Sequence, residues 1–336
     1  MSVRPALVRG LAVALLSLLG APAPSVALAW DWFPTEEETE NFRRSWNPQT
    51  HGPLLISPAD TQRKGQWLFW AFAYGEVASR RFDGTYGLTG SGTPFSQDAA
   101  MPGAVLYYGL TDHVSLGVSG GVISYRSDQL NGGAKAGATG PDDIGLIMKA
   151  RHIVQDPDGW RPSVGTYTRI SLPVSRWAGV PEIPGGFVPI TPRPATRAGA
   201  LSITEGPLVR KNLEPFRLSG MALYTYNTPG TEQGQTVYAS DLLDMRLSLE
   251  YVVPASKGFG LILDWVIQQG LPWRLDGHAI TTGYKTFALY GAAVGAEYRF
   301  TQDIVASCGV LFTLAGQNNV DAVYPGASIK YYWGRD

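Results

Sequence analysis

Residues 241–269 contain two segments in which apolar and polar side chains alternate along the chain. Odd positions from 243 to 253 are apolar, and most even positions between them are polar. The pattern breaks at 254–258, where a proline and a glycine occur, and then resumes through 268. A period of two residues predicts β-strands with one apolar and one polar face, and the short break predicts that they form a hairpin.

The length of these two segments separates them from the strands of soluble sheets. Soluble strands average about 5–6 residues, whereas a strand that crosses a bilayer needs about 9–11. Each segment here reaches that longer range. The pattern therefore favours a transmembrane hairpin whose apolar face contacts lipid and whose polar face lines a lumen.

The same kind of pattern continues along the chain and predicts about twelve strands. They cover about 66–80, 100–110, 113–126, 142–154, 162–174, 197–209, 215–227, 241–253, 259–270, 284–300, 303–316 and 323–333. Long connections are predicted at 81–99, 127–141, 175–196, 228–240, 271–283 and 317–322, and short turns lie between them. Long loops at one end and short periplasmic turns at the other are typical of outer-membrane barrels. We therefore predict an all-β fold, a transmembrane antiparallel up-and-down β-barrel at residues 66–336.

The N-terminal part of the chain differs from the predicted barrel. Arginines at positions 4 and 9, an apolar core at 11–19 and the A-x-A sequence ending at Ala29 predict a signal peptide at residues 1–29, cleaved after Ala29. Residues 30–65 do not alternate and contain several prolines, which interrupt regular structure. We expect them to form a periplasmic arm or a plug segment in the barrel mouth.

Composition and motifs narrow the functional classes. The 336 residues carry a formal net charge of −1, which gives no support to nucleic-acid binding. Cys308 is the single cysteine, so no internal disulfide is expected, and the four histidines lack metal-ligand spacing. His113 and Ser115 would share one strand face, as a hydrolase could use them, but the sequence shows no acidic partner for them. We expect no cofactor, no metal and no enzyme.

The predicted lumen face carries the candidate functional residues. It mixes charges of both signs with apolar side chains. The candidates for a solute path are Lys149, Arg151, Arg246, Glu250, Ile262, Asp264, Val266, Lys285, Phe287, Leu289, Glu297 and Arg299. Two readings stay open, namely ion pairs that hold the barrel in shape and a polar path for a solute. Eight-stranded barrels are filled by side chains and 16–18-stranded porins are open, so about twelve strands predict a narrow, partly apolar lumen.

Several segments resemble an outer-membrane transporter family, the one named for the MetA pathway of phenol degradation. The stretch 51–67 resembles the family's approach to its first strand, and 108–118 resembles its first periplasmic hairpin. Residues 141–146 and 170–173 match places where the family carries a Gly-Asp strand start and a Leu-Pro strand end, although Pro141 replaces the usual glycine. The resemblance implies a barrel for small, aromatic or apolar molecules and carries no catalytic residues.

These observations predict an outer-membrane barrel for passive or facilitated uptake of small apolar or aromatic molecules. Its expected partners are outer-membrane lipid, the barrel assembly machinery and a small-molecule solute, and a monomer is expected. The alternative is a structural or adhesive outer-membrane barrel that acts through its extracellular loops. An outer-membrane hydrolase is a further alternative.

Overall fold

A computed structural model gives the structure of most of the chain. It describes residues 33–45, 54–83, 85–89, 96–128, 135–156, 160–174, 182–183, 186–187, 201–232, 235–238, 241–254, 256, 258–272, 274–275, 278–279 and 286–334. The predicted signal peptide, residues 1–29, and Lys285 lie outside these ranges.

Twelve long antiparallel strands form a closed sheet in the described part of the chain. They are β1 (Trp67–Phe82), β2 (Ser96–Gly109), β3 (Val114–Asp128), β4 (Ile144–Ile153), β5 (Ser163–Leu172), β6 (Ser202–Leu213), β7 (Phe216–Asn227), β8 (Leu242–Val252), β9 (Phe259–Gly270), β10 (Phe287–Arg299), β11 (Ile304–Gln317) and β12 (Val320–Trp333). Each strand pairs with the next one in the chain, and β1 also pairs with β12, which closes the barrel. The predicted all-β antiparallel barrel is confirmed.

Shorter elements accompany the wall. A nine-residue helix, α1 (Glu36–Arg44), precedes the barrel. No helix in the described residues is long and apolar enough to cross a membrane. Short strands pair beside the wall at Leu88–Thr89 and Lys135–Pro141. Others form two small sheets in the loops, at Glu182–Ile183, Gly186–Phe187, Gly230–Glu232, Gln235–Tyr238, Arg274–Leu275 and His278–Ala279.

Several predicted boundaries are wrong; β2, for example, begins at Ser96 and not at 100. The loop predicted at 317–322 is a two-residue turn, Asn318–Asn319, and Asn318 adopts a φ of 51°, which asparagine tolerates better than most residues. The strand predicted at 197–209 runs instead from Ser202 to Leu213, because Arg210 remains in the ladder opposite Ser219. The predicted turn began at Arg210, but this side chain is buried inside the barrel, where it forms an ion pair with Asp60.

The outer face of the barrel is apolar. Along β9 the side chains of Leu261, Trp265 and Ile267 are exposed, whereas those of Ile262 and Asp264 between them are buried. The same alternation recurs in β7 and β6. A continuous exposed apolar surface of this extent has the chemistry of a surface that contacts lipid.

Aromatic side chains form a band at the end of the barrel that carries the short turns. Trp67 stacks on Trp333 with ring centroids 6.0 Å apart and contacts Tyr108 at 4.6 Å. Phe216 and Tyr251 are 5.3 Å apart on neighbouring strands. Aromatic rings with polar edges favour the interface between lipid and water, so this band marks one membrane boundary.

Charge placed on the outer face should disrupt membrane assembly. Leu247 is 63% exposed on the outer face. Because Leu247 lies at the middle of β8, we expect Leu247→Arg to cost about 2–4 kcal/mol, which folding yield into lipid vesicles would report. The control is Gln268→Arg, because Gln268 faces the interior and already contacts the Asp244 carboxylate. Equal yields for the two variants would contradict the assigned register.

Candidate functional site inside the barrel

A cavity of about 680 Å³ lies inside the barrel. One wall is an aromatic ladder on β1, in which Trp70, Phe72 and Tyr74 occupy alternate positions facing the cavity. The ring centroids of Trp70 and Phe72 are 5.6 Å apart, and those of Phe72 and Tyr74 are 5.4 Å apart. The ladder offers a solute a continuous apolar surface with a few polar ring edges.

The part of the wall formed by β8, β9 and β10 combines apolar and charged groups. Val266, Phe287 and Leu289 line it, together with Arg246 and Asp244. The Arg246 guanidinium donates to both carboxylate oxygens of Asp244, at 2.8 and 2.6 Å. Of the residues predicted for a solute path, Arg246, Val266, Phe287 and Leu289 therefore line the cavity.

Residues 54–66, here called the inner segment, belong to no strand and lie within the barrel at one end of the cavity. The backbone of Leu55 is held from both sides. Its N–H donates to Oδ2 of Asp264 at 3.0 Å, and its carbonyl accepts from the Arg246 guanidinium. The side chains of Asp264 and Arg246 thus make the two hydrogen bonds to the Leu55 backbone that a neighbouring strand would make in a sheet.

Apolar packing fixes the middle of the inner segment. Ile56 and Ala59 are fully buried against the inward-facing side chains Leu208, Met221 and Leu223 of β6 and β7. Burying one such side chain is worth about 1.5–3 kcal/mol. The segment therefore forms part of the interior core of the barrel.

A cluster of cations surrounds Asp60 of the inner segment. Arg210 forms an ion pair with its carboxylate, and Arg151 lies 3.9 Å from the other carboxylate oxygen. The Lys149 ammonium donates to the Asp60 carbonyl at 2.7 Å. The predicted path residues Lys149 and Arg151 therefore contact the inner segment and lie outside the cavity lining.

The inner segment leaves the barrel at the short-turn end. The N–H of Gln62 donates to Oγ of Ser115 at 2.9 Å, and the hydroxyl of Thr61 donates to the carbonyl of Asp112 at 2.7 Å. Ser115, which the sequence placed beside His113 as a hydrolase candidate, is thus a buried contact of the segment. Gly109 permits the close approach, because a Cβ there would lie 1.8 Å from the Arg63 carbonyl oxygen.

Helix α1 lies against the same short-turn end. Thr35 and Glu38 form a capping box, and Glu38 accepts a hydrogen bond from Arg161 at 2.8 Å. The Phe42 ring lies 5.7 Å from the Arg151 guanidinium. The Thr35 N–H and the Arg161 guanidinium hold the pKa of the Glu38 carboxyl below its usual range. This contact is therefore complete at neutral pH and is lost as the pH falls through that lowered pKa.

The remaining predicted path residues have structural contacts. Glu250 forms a 2.8 Å ion pair with Arg217, and Glu297 lies 3.8 Å from the Lys330 ammonium. Ile262 is buried. Arg299 donates to carbonyls of its own turn, Thr301 and Gln302, at 2.8 and 2.5 Å. Lys285 lies outside the described residues.

Sequence reasoning missed the aromatic ladder and the acceptor role of Asp60. The first strand is apolar at both odd and even positions, so its register was not readable from alternation alone. Glu76 carried a usable signal, because its charge marks the inward face that it shares with Trp70, Phe72 and Tyr74. Asp60 had no such signal, since it lies in a segment without periodicity.

No cluster of three or more His, Cys, Asp or Glu in the described residues is arranged to hold a metal ion. No family model matches the chain, and no curated protein matches it.

Solved structures define the class of fold. An outer membrane channel from Pseudomonas putida F1 matches with a TM-score of 0.64 and 12% identity, over 83% of this chain and 100% of that one. The translocator domain of the autotransporter NalP from Neisseria meningitidis has a TM-score of 0.43 and 14% identity, over 81% and 90% of the two chains. The NanC porin has a TM-score of 0.42 and 8% identity, over 77% and 98%. The chain therefore shares the closed barrel fold of the Pseudomonas putida protein.

The exclusion of an enzyme requires correction. The matching barrels include OmpT of Vibrio cholerae, with a TM-score of 0.35 and 10% identity, over 82% of this chain and 100% of that one. A barrel fold by itself does not decide function. The exclusion, which rested on the lack of a recognisable catalytic motif, was therefore wrong.

Proposed function

We propose that the protein is an outer-membrane passage for small, largely apolar or aromatic solutes, closed at its short-turn end by the inner segment. One observation carries this proposal. A cavity with an aromatic ladder and few charges ends on a segment, held at Leu55 and Asp60, that is not part of the barrel wall. A lumen that served only as a core would have no need of such a cavity.

The proposal also includes the expectations from the sequence about family, location and assembly. They are membership in the family named for the MetA pathway of phenol degradation, residence in the outer membrane after cleavage behind Ala29, and folding by the barrel assembly machinery as a monomer. The apolar outer face and the aromatic band at the short-turn end support membrane residence. The mixed lining of the cavity supports a solute that is mainly apolar.

The chemistry of the lining suggests how a solute would pass. Apolar walls stabilise a desolvated solute by about 25 cal/mol per Å² of apolar area buried. The Trp70, Phe72 and Tyr74 rings provide such area on β1, and Val266 and Phe287 provide it on β9 and β10. The paired charges of Arg246 and Asp244 keep part of the path hydrated.

Replacing Val266 and Phe287 together with Asp should slow entry of an aromatic probe. The loss of about 60 Å² of apolar contact corresponds to about 1.5 kcal/mol, or roughly a tenfold lower rate. Uptake of N-phenylnaphthylamine by Gram-negative cells carrying each variant would measure the effect. The control replaces both residues with Leu, which preserves the apolar wall, and it should retain most of the uptake. Equal uptake by all these cells and by cells without the protein would refute the proposed passage.

A further inference from the structure

The cationic cluster of Lys149, Arg151 and Arg210 holds more positive charge than the inner segment neutralises. Each of the three side chains is at least nine-tenths buried. Arg210 and Arg151 are oriented towards the Asp60 carboxylate, and Lys149 contacts the carbonyl of the same residue. Buried cations require a counter-charge within contact distance, because their desolvation is costly. Asp60 supplies part of that charge from a segment outside the barrel wall, and Glu250 and Glu297 of the wall also lie in the electrostatic surroundings of Arg210.

An apolar surface adjoins the cluster. Ile56 and Ala59, which precede Asp60 by four residues and one, pack on Leu208 and Met221 of the barrel wall. The inner segment therefore presents a carboxylate to the cations and an apolar body to the neighbouring wall. A small molecule that binds both surfaces must carry the same two features.

We propose that the cationic cluster is a binding site for the carboxylate of a small monocarboxylate with an apolar or aromatic body, and that Asp60 occupies this site in the closed barrel. This inference rests on the proposed passage and names the class of solute that would use it. An external carboxylate competes with Asp60 for the same two guanidinium groups.

Competition would couple solute binding to opening. Withdrawal of Asp60 alone leaves Arg151 and Arg210 buried without its charge, which opposes opening. A solute carboxylate that replaces Asp60 removes this penalty, whereas a neutral solute of the same shape does not. By linkage, a ligand that binds only the open arrangement shifts the barrel towards it. Selectivity for acids over their neutral analogues follows from the same step.

Two probes of nearly equal shape test the inference. Calorimetric titration of the purified full-length protein would compare phenylpropanoate, which carries a carboxylate at neutral pH, with phenylpropanamide, which is neutral. We expect the carboxylate to bind about tenfold more tightly, which corresponds to one interaction of moderate strength. Equal affinities for the two probes would overturn the inference.

Two variants change the competition in opposite directions. Asp60→Asn weakens the internal competitor and keeps the cations, so it should raise carboxylate affinity severalfold and leave the preference for the carboxylate over the amide intact. Arg210→Met removes a cation and should abolish the preference for the carboxylate. Heat-modifiable migration on gels would verify that each variant is folded. A preference that survives Arg210→Met, or an unchanged affinity in Asp60→Asn, would overturn the inference.

The experiments distinguish a failure of the carboxylate-site hypothesis from a failure of the proposed passage. Equal binding of the two probes, combined with protein-dependent uptake of N-phenylnaphthylamine, overturns the carboxylate site alone. Lack of protein-dependent uptake overturns the passage, whatever the titration shows.

Discussion

Arg217→Met should lower the free energy of unfolding by about 3–5 kcal/mol, because it leaves a buried carboxylate without its cation. Arg217 and Glu250 face each other on β7 and β8, their side chains are 0% and 1% exposed, and the pair is 2.8 Å apart. Glu297 also lies in the electrostatic surroundings of Arg217, so the substitution leaves two acids with less positive charge nearby. Urea unfolding of the protein folded into lipid vesicles would measure the loss.

The matched control removes both charges. In the double variant Arg217→Met with Glu250→Gln no buried carboxylate of this pair remains, so much of the lost stability should return. A single variant that loses less than about 1 kcal/mol would contradict this account, because an exposed ion pair is worth about that much. The comparison separates the cost of an unpaired charge from the cost of altered packing.

The sequence predicted the parts of the fold that have a simple period. The β8–β9 hairpin was predicted within one residue at every end, because apolar and polar side chains alternate there without interruption. The same alternation placed Asp264 and Val266 on the inner face and Leu247 on the outer face. Such patterns predict a closed sheet of long strands, because closure places the polar face of each strand in the lumen and the apolar face against lipid.

Other features depend on contacts between distant residues. The inner segment has no period, and its position depends on side chains such as Arg246 and Arg210, which lie more than 100 residues away in the chain. Strand β6 was predicted to end before Arg210, but it continues to Leu213, and Arg210 forms an ion pair with Asp60 inside the barrel. The partner, Asp60, was not recognisable before the fold was known.

Weakening the contact between Arg246 and the inner segment should open the barrel more often. Arg246→Met removes the donor that binds the Leu55 carbonyl. A hydrogen bond from a charged group contributes about 1.5–3 kcal/mol, so the fraction of open barrels should rise by about tenfold or more. Arg246→Lys keeps the positive charge and should have a smaller effect. Open fractions that are the same in Arg246→Met and the unaltered protein would show that this contact does not hold the segment.

Single-channel conductance of the purified barrel tests the central claim most directly. Planar bilayers would compare the full-length chain with a chain that lacks residues 33–61, which removes α1 and the contacts of Leu55, Ile56 and Asp60 but keeps the turn into β1. Heat-modifiable migration would establish that both chains are folded. We expect the full-length chain to be closed for most of the recording and the shortened chain to be open with a larger conductance. Equal conductance and equal open times in the two chains would contradict the proposal that the inner segment closes a solute passage.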